Sequence, residues 1–300
     1  ENGDKYEGQF KDNKRHGQGV FYFKNKDGYG NGKYEGEFNN DKPHGKGTYY
    51  FNNGEKYVGQ LKNDKGNGQG IYYYSNGNKE YEGAWINDKR QGQGIAYYEN
   101  GKKLYEGQFK NDIFNGKGIC YYETGEKYEG EFIYNKKNGQ GTLYYRNDED
   151  LVGLHKQACG WKSKWYEGEF KDDKLNGEGK SYYENGNIKY EGTFKDDKYN
   201  ERGIYYYENG EKYEGEWKDS VIHGQGSYYY NNGKKQFEGI WKNEKANGQG
   251  IFYYENGNKC HEGEFIDDKL NGQGIYYYEN GNKRQEGQFI DDKLNGQGIY

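Results

Sequence analysis

The sequence predicts an all-β protein, an elongated antiparallel meander of about twelve tandem β-hairpins. Three observations carry that expectation. One phrase recurs about every 24 residues, opening at Tyr6, Tyr34, Tyr57, Tyr81, Tyr105, Tyr128, Tyr166, Tyr190 and Tyr213, then at Phe237, His261 and Gln285. Each copy contains two short stretches that alternate aromatic or glycine with polar residues, the period of a strand. The first glycine of a Gly-x-Gly follows the Tyr position by 11 residues, from Tyr6/Gly17 to Gln285/Gly296. Length variation therefore falls between hairpins.

In the copy from Tyr81, the first strand is Tyr81-Glu82-Gly83-Ala84-Trp85, with Tyr81, Gly83 and Trp85 sharing a face. Residues 86–91 read as a polar loop. Gly92-Gln93-Gly94-Ile95-Ala96-Tyr97-Tyr98 reads as the second strand, and Asn100-Gly101 as the tight turn into the next hairpin. The copy from Tyr213 repeats the plan with Gly215, Gly224 and Gly226. Gly83, Gly92, Gly94 and these three are assigned a structural role. A glycine beside a ring lets the ring lie over bare backbone, which a side chain would prevent. At ~4.8 Å per strand, 24 strands extend roughly 115 Å, a rod or trough.

Composition allows this only if aromatics replace aliphatics. The chain has 8 Leu, 15 Ile, 4 Val and 14 Phe, 41 residues of 300, but also 38 Tyr and 5 Trp. Each buried ring removes roughly 150–250 Å² from water. A folded chain with no thick core follows. The 44 basic and 49 acidic side chains are interleaved, and the pI is near 5.7. A nucleic-acid binder would carry a basic stripe. Cys120, Cys159 and Cys260 are odd in number and far apart, which suits a reducing, cytoplasmic setting. The chain has no Met, opens on a turn phrase and ends in a strand, as a piece of a longer array would. The basic residues are 39 Lys and five Arg, and Asn and Tyr abound. That bias matches AT-rich codons and suggests a protist source.

These residues resemble the MORN (membrane occupation and recognition nexus) repeat family, whose repeat reads Tyr-x-Gly-x-Trp/Phe, a polar loop, Gly-x-Gly and an aromatic. Tyr81–Trp85 with Gly92–Gly94 fits it, as does Tyr213–Trp217 with Gly224–Gly226, and the likeness covers nearly the whole chain. It implies an elongated, single-layer twisted sheet, often dimeric. Family members occur in radial spoke heads of cilia, in junctophilins at membrane contacts, in protist cytoskeletal scaffolds, and beside lipid kinase or lysine methyltransferase domains.

Departures from the phrase mark candidate contacts. The array divides into residues 1–150, with a glycine-bearing insertion around 24–33, an inserted loop at 151–165, and residues 166–300. The loop has no acid between Leu151 and Trp165 and mixes aromatic with basic side chains, as binding hot spots do. Leu151, Leu154, Lys156, Trp161, Lys164 and Trp165 are its candidates, against a loop folded back on the sheet. On the regular face, Tyr72, Tyr74, Trp85, Trp217, Trp241, Tyr276 and Tyr278 are candidates, against rings that only pack the sheet. Glu201 replaces the first glycine of its Gly-x-Gly, which predicts a kink or a lost ring contact.

No catalytic constellation is legible. The Asp pairs at 172–173, 196–197, 267–268 and 291–292 recur, whereas acid–base catalysis needs one pair in unlike environments. Asp267-Asp268-Lys269 lacks the ligand spacing of a calcium loop. No metal or cofactor is expected, nor enzymatic activity. The reading is a structural scaffold of a cytoskeletal assembly, a cilium, axoneme or radial spoke of a protist, binding other proteins of that complex or a second copy of itself. The alternatives are a phosphoinositide or membrane-contact module, which the interleaved acids disfavour, and a regulatory array attached to a catalytic domain outside this chain.

Overall fold

The computed structural model describes residues 3–24, 32–145 and 163–299. Among them lie 24 strands and no helix, from Lys5–Lys11 to Lys293–Ile299, and paired strands are antiparallel. The fold is the expected all-β meander of hairpins. Among the described residues there are two compact units, one of residues 3–139 and the other of residues 140–145 with 163–299. Each is an open meander in which consecutive strands pair.

Two kinds of turn alternate. Strands Lys79–Ile86 and Lys89–Tyr97 are joined by Asn87 and Asp88 alone, both left-handed at φ 50° and 66°. That is a type I′ turn, whose twist matches the strands it joins. The six-residue polar loop of the sequence reading is therefore two residues, with its flanks in strands. The Asn-Gly turn is the wider one. Gly101 N–H donates to the Tyr98 carbonyl at 2.9 Å and Tyr98 N–H to the Lys102 carbonyl at 2.9 Å, with Gly101 left-handed at φ 83°. Asn100 Oδ1 accepts from Lys102 N–H at 2.9 Å, so Asn and Gly are both required here, but in a turn of type I plus bulge.

The first glycine of each Gly-x-Gly is also left-handed, for example Gly92 at 60° and Gly224 at 66°, and the register of the hairpin shifts beside it. Glu201 occupies that position at φ 55°. The expected kink and lost contact do not occur. Glu201 keeps its place opposite Trp217, and Gly203 still lies beneath the Tyr190 ring. The turn acids have a defined task as well. Asp112 Oδ1 accepts from Arg90 N–H at 2.8 Å, Asp197 from Leu175 at 2.8 Å and Asp268 from Ala246 at 2.7 Å. Each turn is thereby hydrogen-bonded to the hairpin before it.

The core is a row of rings. Tyr34, Tyr81, Tyr105, Tyr128, Tyr166, Tyr190 and Tyr213 are fully buried. Tyr81 meets Trp85 edge-on with centroids 5.1 Å apart, and Phe109 of the next hairpin at 5.0 Å. This geometry suits the ring quadrupoles.

Candidate functional site

The feature that organises both faces is a ladder of glycines crossing the strands. In the second unit Gly203, Gly215, Gly226, Gly239, Gly250, Gly263 and Gly274 are direct cross-strand partners, one per strand. In the first unit Gly83 and Gly94 belong to the same kind of ladder. A methyl group on Gly94 would lie 2.5 Å from Tyr81 Cε2, and one on Gly226 2.5 Å from Tyr213 Cζ. On Gly83 or Gly215 it would meet the partner glycine Cα at 2.7 or 2.5 Å. Gly92 is different, since a Cβ there meets nothing closer than 3.7 Å and φ alone demands glycine. The rings are pinned by their hydroxyls: Tyr81 donates to the Ala84 carbonyl at 3.0 Å and Tyr213 to that of Glu216 at 3.1 Å. Burial pushes the Tyr81 phenol up to about 12.

With rings on one side of the ladder, alternation puts the intervening residues on the other. There the bare glycine backbone is the floor of a groove of ≈ 930 Å³ in the second unit, running from Gly203 to Gly274. Gln225, Gln249 and Gln273 line it, with Ile251, Ile275, Glu238 and Glu262. Its acids are held in place. Glu238 accepts from Lys235 and Tyr253, and these hydrogen bonds, the lysine's first, keep its carboxyl below the usual range. Burial raises Glu262, but Lys259 at 2.6 Å and Tyr277 at 2.5 Å outweigh it and the carboxyl stays low. The groove crosses seven strands, so at ~4.8 Å per step it is about 29 Å long, the length of about nine extended residues.

The residues singled out in the sequence fall in three groups. Leu151, Leu154, Lys156 and Trp161 lie outside the described residues, as does most of the insertion around 24–33. Lys164 and Trp165 belong to strand Lys164–Lys171 rather than to a loop. Lys164 pairs with Glu167, and Trp165 is 42% exposed. Of the regular face, Trp85, Trp217 and Trp241 are buried, and their indole N–H groups donate to the carbonyls of Gly70, Gly203 and Gly226 at 3.1, 3.2 and 3.3 Å. Tyr72 donates to Glu55 at 2.6 Å, Tyr74 to the Tyr97 carbonyl at 2.9 Å and Tyr276 to Asp292 at 3.1 Å. These rings pack and connect hairpins. Tyr278 is open, with 53% of its surface exposed. Sequence reasoning missed the groove residues, although Gln225, Gln249 and Gln273, each at the centre of a Gly-x-Gly, mark them.

Among the described residues no cluster of three or more His, Cys, Asp or Glu could hold a metal. A sequence model of the MORN repeat matches residues 6–28, 34–56, 57–79, 81–103, 105–127, 128–149, 190–212, 213–235, 237–259, 261–283 and 286–300. A variant of that repeat matches residues 175–196. No curated protein gives a significant match to the chain.

Proposed function

Because the chain belongs to the MORN repeat family, a family of repeat-built interaction modules, we propose that it is a non-catalytic scaffold holding an extended segment of a partner protein along the groove of its second unit. The observation that carries this is the groove floor. Seven successive glycines form that floor over about 29 Å, and Gln and Glu side chains border it, with Glu238 and Glu262 held by lysine and tyrosine partners. A segment laid there meets groups already ordered, so little entropy is lost on the scaffold side. The setting we assign is a cytoskeletal assembly, a cilium or axoneme of a protist. The lack of a legible catalytic constellation, the resemblance of the repeat and the Lys-, Asn- and Tyr-rich composition support it.

The test is selection of ten-residue peptides against the purified chain, followed by binding to two variants. Gln249→Trp places a large side chain in the groove without touching the buried rings, and Tyr278→Ala alters the other face. Selected peptides should lose affinity by about tenfold or more with Gln249→Trp, the scale of a blocked contact centre, and keep it with Tyr278→Ala. The reverse pattern sinks the groove reading. If the native protein leaves with the soluble fraction on detergent extraction of the cytoskeleton, the assigned setting goes.

A further inference from the structure

The second residue of each hairpin's second strand fills a slot between rings and the turn acid of the next hairpin. Two slots are filled by arginine. Arg90 Cζ lies 5.7 Å from the centroids of both Tyr81 and Phe109, and Nε is 3.4 Å from Asp112 Oδ1. Arg15 Cζ lies 4.4 Å from Phe21 and 5.7 Å from Phe38, and its Nη2 donates to the Asp41 carbonyl at 2.7 Å. In two other hairpins a ring does the filling, Phe114 stacking on Tyr105 at 3.8 Å and Tyr199 on Tyr190 at 3.9 Å, and in others a buried aliphatic side chain such as Leu175 or Ile222 does.

At Gly66 the slot has walls and no side chain. Tyr57 and Trp85 stand where Tyr81 and Phe109 stand around Arg90, with centroids 5.4 Å apart and planes at 87°. Asp88 stands where Asp112 does. It is left-handed at φ 66° against 71°, and its Oδ1 accepts from Gly66 N–H at 2.6 Å, as Asp112 accepts from Arg90. Leu61 closes the base opposite Gly66. The preceding hairpin has only Pro43 in this position, and the two vacancies join into a cavity of ≈ 670 Å³ reaching Tyr49. Arg15 at one end is engaged with Asp41, while Lys42 and Lys65 are exposed at the rim. Burial raises the Asp88 carboxyl against the pull of Gly66 N–H and Lys65, so a cation seated beside it would be favoured.

We propose that this cavity in the first unit receives the guanidinium of an arginine side chain on a partner polypeptide, held between Tyr57, Trp85 and the Asp88 carboxylate. The chain's own Arg15 and Arg90 show the pose. Cation–π attraction and a carboxylate select guanidinium over a neutral isostere. Only the source of the arginine rests on the scaffold reading, and the groove lies in the other unit.

The experiment is calorimetric titration of the whole chain with N-acetyl-arginine N-methylamide, using the citrulline analogue as the neutral control of equal shape. The arginine compound should bind with a dissociation constant on the order of millimolar, and citrulline about tenfold more weakly. Gly66→Arg fills the slot from within. The nearest atoms to a Cβ there are those of Tyr57 at 3.4 Å and Asp88 at 3.5 Å, ordinary contact distances, so the variant should fold, melt higher than the parent and no longer bind the probe. Asp88→Asn keeps an acceptor for Gly66 N–H and should weaken binding about fivefold or more. Equal binding of citrulline, undetectable arginine binding, or retained binding by a folded Gly66→Arg overturns the proposal. Gln249→Trp should leave probe binding unchanged, so groove and cavity can fail separately.

Discussion

His261 stands in the place where most hairpins carry a fully buried tyrosine, and it is stacked between Phe252 at 4.6 Å and Tyr276 at 4.9 Å. Burial lowers its pKa to about 4, with Asp292 pulling the other way. The folded value is below the unfolded value of about 6.5, so folding favours neutral imidazole. The stabilisation is complete above pH ~6.5 and is lost as pH falls through the window toward 4. At pH 5 the loss is on the order of 2 kcal/mol. His261→Tyr restores the common ring and removes this titration. Urea unfolding at pH 7.5 and 5 should therefore show the parent losing about 2 kcal/mol more than the variant, and equal losses would refute the assignment. The ring-substitute role of His261 is legible in one repeat. The burial of Trp85, Trp217 and Trp241 is not, because each packs on the ring that opens its own hairpin (Tyr81, Tyr213 or Phe237) and on the tyrosine of the hairpin before. Trp85 meets Tyr81 and Tyr57 alike, at 5.1 and 5.4 Å. A contact 28 residues back has no mark inside the repeat that holds the tryptophan.

At the level of the hairpin, the strands were legible because alternation and glycine spacing agree. The turns were misplaced for a physical reason. Asn-Gly suits a two-residue turn, but here its Gly takes the bulge position of a wider one, while eight of the twelve tight turns among the described residues use Asn-Asp or Asp-Asp pairs in which both residues are left-handed. Asn and Asp tolerate that conformation through their short polar side chains. The task of the second acid, accepting a strand N–H of the previous hairpin, was invisible without the fold. Glu201 has no such aptitude, yet it is left-handed at φ 55° where other hairpins use glycine. Its strain is roughly 1–2 kcal/mol, and glycine returns roughly 0.5–1 kcal/mol of that as unfolded-chain entropy. Glu201→Gly should raise stability by about 0.5–1 kcal/mol, read as a higher urea midpoint at constant slope. A lower midpoint would mean that the Glu201 side chain stabilises the bulge by a contact larger than its strain.

Across a whole unit, stability in a repeat array is a sum of hairpins and nearest-neighbour interfaces, so a graded change in one slot becomes a gradient along the chain. In the second unit the ring slot runs from Tyr213 through Phe237 and His261 to Gln285. The glycine beneath it is covered by Tyr213 at Gly226 and by Phe237 at Gly250, but by Leu270 at Gly274 and Leu294 at Gly298. The weakening of the slot can be read from the sequence; the substitution of leucine for the ring, from the adjoining strand, cannot. A leucine side chain removes less apolar area than a ring, and each ~1.4 kcal/mol lost from local opening is about tenfold in amide exchange. Strands Lys259–Ile266 and Lys283–Ile290 should therefore exchange at least about tenfold faster than Ile188–Lys195 and Lys212–Lys218. Gln285→Tyr tests the cause. Tyr166 and Leu175 already coexist as a buried pair in the same two positions, so a tyrosine at 285 can share its site with Leu294. The variant should slow exchange in Lys283–Ile290 and, through the shared interface, in Lys269–Tyr277. Protection that is uniform along the unit in the parent, or unchanged in the variant, would show that backbone pairing rather than the ring row sets local stability.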